Sequence, residues 1–200
     1  MNVLPATRRR NDAAHREFDP LARVYVAQAA RPAAIEPVEA AALEALQRAL
    51  LVIDGTVTQF IEAWALEPVD VLRLDQHELR LTEADPWLAL DAGADVMRRQ
   101  VMLCGAQSGR FFAWADSRIA TGRIDADLRR GLQSEGGGIG RILIDAGLES
   151  RREPLWFGRD RPADVPPEVS ARHPGEFLVR SYRLLVAGRP LMLITERFPL

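Results

Sequence analysis

Two ionisable residues stand where a strand pattern calls for apolar side chains. Near the end of the chain, Pro190-Leu191-Met192-Leu193-Ile194-Thr195-Glu196-Arg197-Phe198 reads as a strand. Strand side chains alternate between faces, so Met192, Ile194, Glu196 and Phe198 share one. A carboxylate in an apolar stripe must be paired, hydrogen-bonded or neutralised, because burying an isolated charge is costly. The stretch Val96–Cys104 is the mirror image: Met97, Arg99, Val101 and Leu103 share a face, and Arg99 is its lone cation. A guanidinium suits a carboxylate because its planar fork can donate two parallel hydrogen bonds. Arg99 and Glu196 could therefore form a buried ion pair. They could instead stand at opposite ends of a cavity and hold a ligand bearing a carboxylate and a hydroxyl. Edge strands or a bulge would turn both toward water.

Two backbone features could supply neutral donors. Gly136-Gly137-Gly138-Ile139-Gly140 precedes a short helical stretch, and the first N–H groups of a helix lack intrahelical acceptors. The run does not match GxGxxG, because Arg141 stands at the third glycine position, and it lacks the Lys and Ser/Thr of a P-loop. A flexible hinge explains it equally well. Gly55-Thr56-Val57-Thr58 precedes another helical stretch, where helix capping is the simpler role. Cys104 is the one cysteine, flanked by Met102, Leu103 and Gly105, and reads as core packing. The three histidines, His15, His77 and His173, have no metal-ligand neighbours at helical or hairpin spacing, so no metal is expected.

The elements that must position these residues follow from the punctuation. A helix is expected from Glu36-Pro37 to about Leu50, and a second, capped by Thr56 or Thr58, from there to about Pro68. Val69–Leu74 and Glu78–Thr82 read as a short hairpin around Asp75-Gln76-His77. Asp95–Cys104 and Gly109–Ile119 read as stronger strands. Helical spacing returns at Asp125–Gln133 and Arg141–Ala146, then a strand at Arg152–Phe157. A proline-rich loop leads to the closing hairpin, Phe177–Val186 and Pro190–Phe198, turning at Ala187-Gly188. Hairpin-linked strands with inserted helices predict an α+β fold, an antiparallel sheet of about six strands with helices on one face.

The chain has 200 residues, 48% hydrophobic and 27% charged, with a formal net charge of -2 and no lysine. One domain over residues 36–200 is expected, preceded by an arm or tail over 1–35 that carries Arg8-Arg9-Arg10. The charge gives no basic field for nucleic acid, and the arginine run reads as a solvated cluster. No apolar run approaches about 18 residues and no signal-peptide pattern opens the chain, so a cytoplasmic monomer without membrane insertion is expected.

Four segments in this order resemble the chorismate pyruvate-lyase family, the 4-hydroxybenzoate synthetases. They are Asp54-Gly55-Thr56-Val57-Thr58, Val96-Met97-Arg98-Arg99-Gln100-Val101-Met102-Leu103, Gly138-Ile139-Gly140-Arg141, and Arg183 through Glu196. The last, with an arginine, the hairpin glycine, proline and then Thr-Glu, is the most specific. Together the match covers about residues 40–198. The resemblance implies helical flaps over a small buried ligand site, and cofactor-free conversion of chorismate to 4-hydroxybenzoate and pyruvate. Arg99 matches the arginine that holds the ring carboxylate, and Glu196 the glutamate near the ring oxygen. Val57 and Ile139 match positions whose main chains contact ligand, with Thr58 and Gly140 beside them. Where family members often carry Pro-Leu-Gly, this chain has Gly138-Ile139-Gly140.

The alternative is a non-catalytic module that binds an aromatic acid, similar in fold to the effector-binding domains of transcription regulators. Those normally follow a DNA-binding domain of about 60–70 residues, whereas only about 35 residues precede the domain here and they do not read as a helix-turn-helix.

Overall fold

In a computed structural model of the chain, residues 18–133 and 138–200 are described. The Arg8–Arg10 run, His15 and the first two glycines of the 136–140 run lie outside them. Six strands form one sheet: β1 Val69–Arg80, β2 Asp95–Gly105, β3 Phe111–Ala120, β4 Ser150–Asp160, β5 Phe177–Val186 and β6 Arg189–Pro199. Their order is β1-β2-β3-β6-β5-β4, and every pairing is antiparallel. The sheet is thus two three-stranded meanders, β1-β2-β3 and β4-β5-β6, joined through their last strands. The α+β architecture expected from the sequence is the observed one.

Four helices cover one face: α1 Ala45–Val52, α2 Val57–Ala65, α3 Ala126–Gln133 and α4 Ile139–Asp145. Leu50, Leu51, Val57 and Ile61 pack with Val101, Leu103, Ala113, Ala115 and Phe198. Leu128, Leu132, Ile142 and Leu143 pack with Met97, Ile119, Tyr182, Leu184, Met192 and Ile194. The short α5, Pro167–Ser170, lies over the opposite face, where Val169 joins Met102, Cys104, Trp114 and Phe177. Leu88 and Ile35 cover the rest of that face with Val96, Leu155, Val179 and Leu193. Both faces are therefore covered, and β5 is buried along most of its length.

Two expected elements take a different form. The first helix begins at Ala45 and not at Glu36. Glu36 exchanges both backbone hydrogen bonds with Arg159 of β4, at 2.8 Å each, which fixes that stretch as an isolated bridge. Gly158 permits the approach, because a Cβ there would lie 2.3 Å from the Glu36 carbonyl oxygen. The expected hairpin at residues 69–82 is one continuous strand, β1, paired with β2 along its length and bulged between Arg73 and Asp75. Asp75-Gln76-His77 looks like a turn because β1 is an edge strand, where polar side chains discourage further pairing.

The other edge, β4, is covered by the N-terminal stretch. The N–H groups of Val26 and Ala27 donate to the Pro154 and Leu155 carbonyls at 3.0 and 2.9 Å. Leu21 and Tyr25 are buried against α1 and α2. The hairpin β5–β6 turns through Ala187 and Gly188, both at positive φ (48° and 75°), as a tight two-residue turn requires.

Candidate active site

The register brings the flagged charges to one face. Across the sheet, Arg99 stands opposite Ser117, Ser117 opposite Ile194, and Ile194 opposite Tyr182. The next row on the same face runs Val101, Ala115, Glu196, Arg180. Arg99 and Glu196 are thus two strands and two residues apart, a backbone separation of roughly 12 Å from strand spacing and rise. Arg99 is 1% exposed and Glu196 8%.

Both line a cavity of about 50 Å³ between the sheet and the starts of α2 and α4. Val57 and Thr58 line it from α2, Ile139 and Gly140 from α4, and Ser117, Arg152 and Tyr182 from the sheet. All six site residues expected from the sequence therefore border one space. The two helix starts touch: a Cβ on Gly140 would lie 2.7 Å from the Thr56 Cγ2 and Oγ1 atoms. Gly138 approaches Thr58 similarly, with a Cβ position 3.3 Å from Oγ1. Thr56 precedes α2, but its hydroxyl makes no capping hydrogen bond. Its side chain packs on the glycine of α4 instead.

The partner of Glu196 is Arg180, and not the Arg99 that the strand patterns suggested. Arg180 faces it directly across β5–β6 and donates Nε to Oε2 at 2.7 Å. The Tyr182 hydroxyl donates to Oε1 at 3.0 Å. Both oxygens accept, so the glutamate in the apolar stripe is paired and hydrogen-bonded. Arg180 is buried and donates Nη1 to the carbonyls of Leu50 and Ile53 at 2.6 and 3.0 Å, where the end of α1 leaves acceptors over. Burial alone would lower its pKa. The Glu196 carboxylate and the Tyr182 and Tyr25 hydroxyls outweigh that, and the net shift is upward. Tyr182 is itself pushed up, first by burial and then by the Glu196 charge, so it stays a hydroxyl donor.

Arg99 has a different environment. Its Nε donates to the Gln76 Oε1 at 3.2 Å, from the strand paired beside it. Burial, with the nearby Arg73 guanidinium, pulls it down to about 10, which leaves it cationic at neutral pH. Arg180, Tyr182, Gln76, Arg152 and Ser117 are polar residues around the site that the sequence reading did not single out. Cys104 is buried among Met102, Phe111 and Trp114 on the opposite face, and burial pushes its thiol up. Among the described residues, no group of three His, Cys, Asp or Glu side chains could hold a metal, and no helix is long and apolar enough to cross a membrane.

Sheet, helices and cavity define an α+β domain that encloses a largely apolar pocket, with a few charged and polar side chains, between a six-stranded antiparallel sheet and two helix starts. The effector domain of PhnF from Mycobacterium smegmatis has a similar fold, with a TM-score of 0.57 at 12% identity over 72% of this chain and 88% of that one. A crystal structure of PhnF from the same organism gives the same score and identity, and the match spans 64% of its length. At that identity the likeness is one of fold alone. The family is set by sequence: the profile described as "Chorismate pyruvate-lyase Rv2949c-like" matches residues 51–200, and the chain belongs to that family. Its relatives include proteins named chorismate pyruvate-lyase. The one from Mycobacterium tuberculosis (strain ATCC 25618 / H37Rv) is 27% identical over 157 residues, 76% of this chain and 78% of that protein. The one from Mycobacterium leprae (strain TN) is 26% identical over 153 residues, 76% and 72%.

Proposed function

We propose that this protein is a chorismate pyruvate-lyase, converting chorismate to 4-hydroxybenzoate and pyruvate without a cofactor. One observation carries the reading: in a chain of this family, buried Arg99 and Glu196 line the same cavity from separate strands. Arg99 holds the ring carboxylate by a charge-assisted pair. The backbone at Val57, Thr58, Ile139 and Gly140 closes over the ring from the helix side. Glu196 stands near the ring oxygen as a carboxylate that Arg180 and Tyr182 hold in place, and it accepts a hydrogen bond from the ring hydroxyl.

The bond that breaks joins the ring to the enolpyruvyl ether oxygen. The ring hydrogen on the hydroxyl-bearing carbon is lost as the ring aromatises. The enolpyruvyl methylene gains a proton and becomes the methyl group of pyruvate. Aromatisation drives the reaction, so the protein's main contributions are orientation of the substrate and exclusion of water.

The test is to mix purified, metal-free protein with chorismate and follow products by chromatography. Equal amounts of 4-hydroxybenzoate and pyruvate are expected without additives. A second reading, a non-catalytic binder of aromatic acids, draws on the fold likeness to the PhnF effector domain. Thermal stabilisation by 4-hydroxybenzoate with no turnover of chorismate would favour it.

A further inference from the structure

A second cavity, of about 210 Å³, lies beside the first, and Arg152 and Tyr182 line both. Its walls are the end of α1 with Ile53 and Asp54, the N-terminal residues Val24 and Tyr25, and strands β4 and β5. Tyr25 closes one side with its hydroxyl donating to the Leu51 carbonyl at 2.8 Å. The charged residues of this cavity are Arg152, Arg180 and Asp54. Arg180, 4% exposed, buries its Nη2 without a hydrogen-bond acceptor. Arg152 donates Nη1 to the Asp54 carbonyl at 2.9 Å, and its buried Nε has no acceptor. Among the described residues, Arg152 forms no ion pair with a carboxylate, although Asp54 is on the same wall. Buried donors left unmade cost free energy that an incoming acceptor recovers.

We propose that Arg152, at the junction of the two cavities, binds a second carboxylate, that of the three-carbon arm, which the larger cavity accommodates together with the departing 2-oxo acid. The proposal rests on the lyase reading, since only a substrate with two carboxylates needs it. Volume supports it. The first cavity, about 50 Å³, is smaller than the roughly 150 Å³ that accommodates benzene, so a ring acid with a three-carbon substituent must use the adjoining space. Charge supports it too. The Arg180 guanidinium is already neutralised by Glu196, whereas Arg152 brings a cation to the wall shared by the two spaces. The ring carboxylate at Arg99 and the arm carboxylate at Arg152 would then fix the substrate at two points, with the breaking ether bond between them.

The experiment compares Arg152→Gln and Arg152→Lys with the unaltered protein and with Arg151→Gln, an exposed neighbour. Each is titrated with chorismate and, separately, with 4-hydroxybenzoate, which has one carboxylate. Arg152→Gln is expected to raise the KM for chorismate roughly ten- to a hundredfold, the range of a lost charge-assisted hydrogen bond. Its affinity for 4-hydroxybenzoate should change less than about twofold on the same scale, Arg152→Lys should recover part of the loss, and Arg151→Gln should leave the KM for chorismate within about twofold of the unaltered protein. If Arg152→Gln leaves the chorismate KM unchanged, or weakens both ligands equally, the proposal is wrong and the lyase reading stands. If the unaltered protein binds 4-hydroxybenzoate but neither binds nor converts chorismate, the lyase reading fails and the proposal falls with it.

Discussion

Arg98 and Arg99 are neighbours in β2, and the sheet sends them to opposite faces. Arg98, half-exposed, donates Nε and Nη2 to the same Asp116 oxygen, Oδ2, at 3.0 and 2.6 Å. Its hydrogen bonds to Asp116 raise its pKa. Arg99 is sealed from water, lines the cavity, and is shifted the other way by its burial. The same alternation separates Glu196 from Arg197 on β6: the first faces the cavity, and the second pairs with Asp160 on the far face at 2.7 Å. On the far face Arg98 and Arg197 each pair with a carboxylate. On the cavity face Arg99 stays cationic although burial lowers its pKa, a cost that a carboxylate ligand would relieve. Charge alone does not mark the site in this sheet; the face does.

The largest effect should come from breaking the pair behind the cavity. Arg180→Ala leaves Glu196 buried without its cation and should destabilise the fold by about 3–5 kcal/mol in denaturant unfolding. Replacing both residues, as in Arg180→Met with Glu196→Leu, should recover most of that stability and none of the turnover. Recovery of turnover by the apolar double variant would remove Glu196 from the site. Next come the ligand-facing groups. Arg99→Ala and Glu196→Gln should each lower kcat/KM for chorismate by at least about tenfold in a folded protein. Near-normal kinetics in both would end the lyase assignment. A smaller effect belongs to the helix wall. Gly140→Ala pushes a methyl group into Thr56 and should raise KM severalfold (about threefold to tenfold, from a modest overpacking cost), with part of it recovered by adding Thr56→Ala.

The period-two pattern made the cavity face legible, because Arg99 and Glu196 each interrupt an apolar stripe. The ion pair was harder to read. A simple two-residue turn at Ala187-Gly188 opposes Val186 to Arg189 and, counted onward, Glu196 to Val179. The strands obey that register only as far as Leu185 and Pro190; a bulge then shifts it by one residue and sets Arg180 against Glu196. A one-residue slip exchanges the faces of everything beyond it, and nothing in the local sequence announces where it falls. Gln76 was hidden by a polar edge strand that resembles a turn. Arg152 sits in the least buried part of β4, where an arginine carries no pattern signal. The late start of α1 depends on a contact with β4, more than 120 residues away in sequence, which no local propensity records.

The smallest expected effect is the sharpest control on the two-face comparison. Arg98→Gln removes a half-exposed ion pair, and such pairs contribute about 0–1 kcal/mol. Asp116 keeps a second donor, the Gln100 Nε2 at 2.9 Å, so its carboxylate is not stranded. Stability should therefore fall by no more than about 1 kcal/mol, and kcat/KM for chorismate should stay within about twofold of the unaltered protein. The same substitution one residue along, Arg99→Gln, removes the same charge and should abolish most of the activity. Measured side by side, the two variants differ only in the face of the sheet they alter. Equal losses would mean that the arginines act through the net charge of the strand, and the division between a structural and a ligand-facing side of the sheet would not hold.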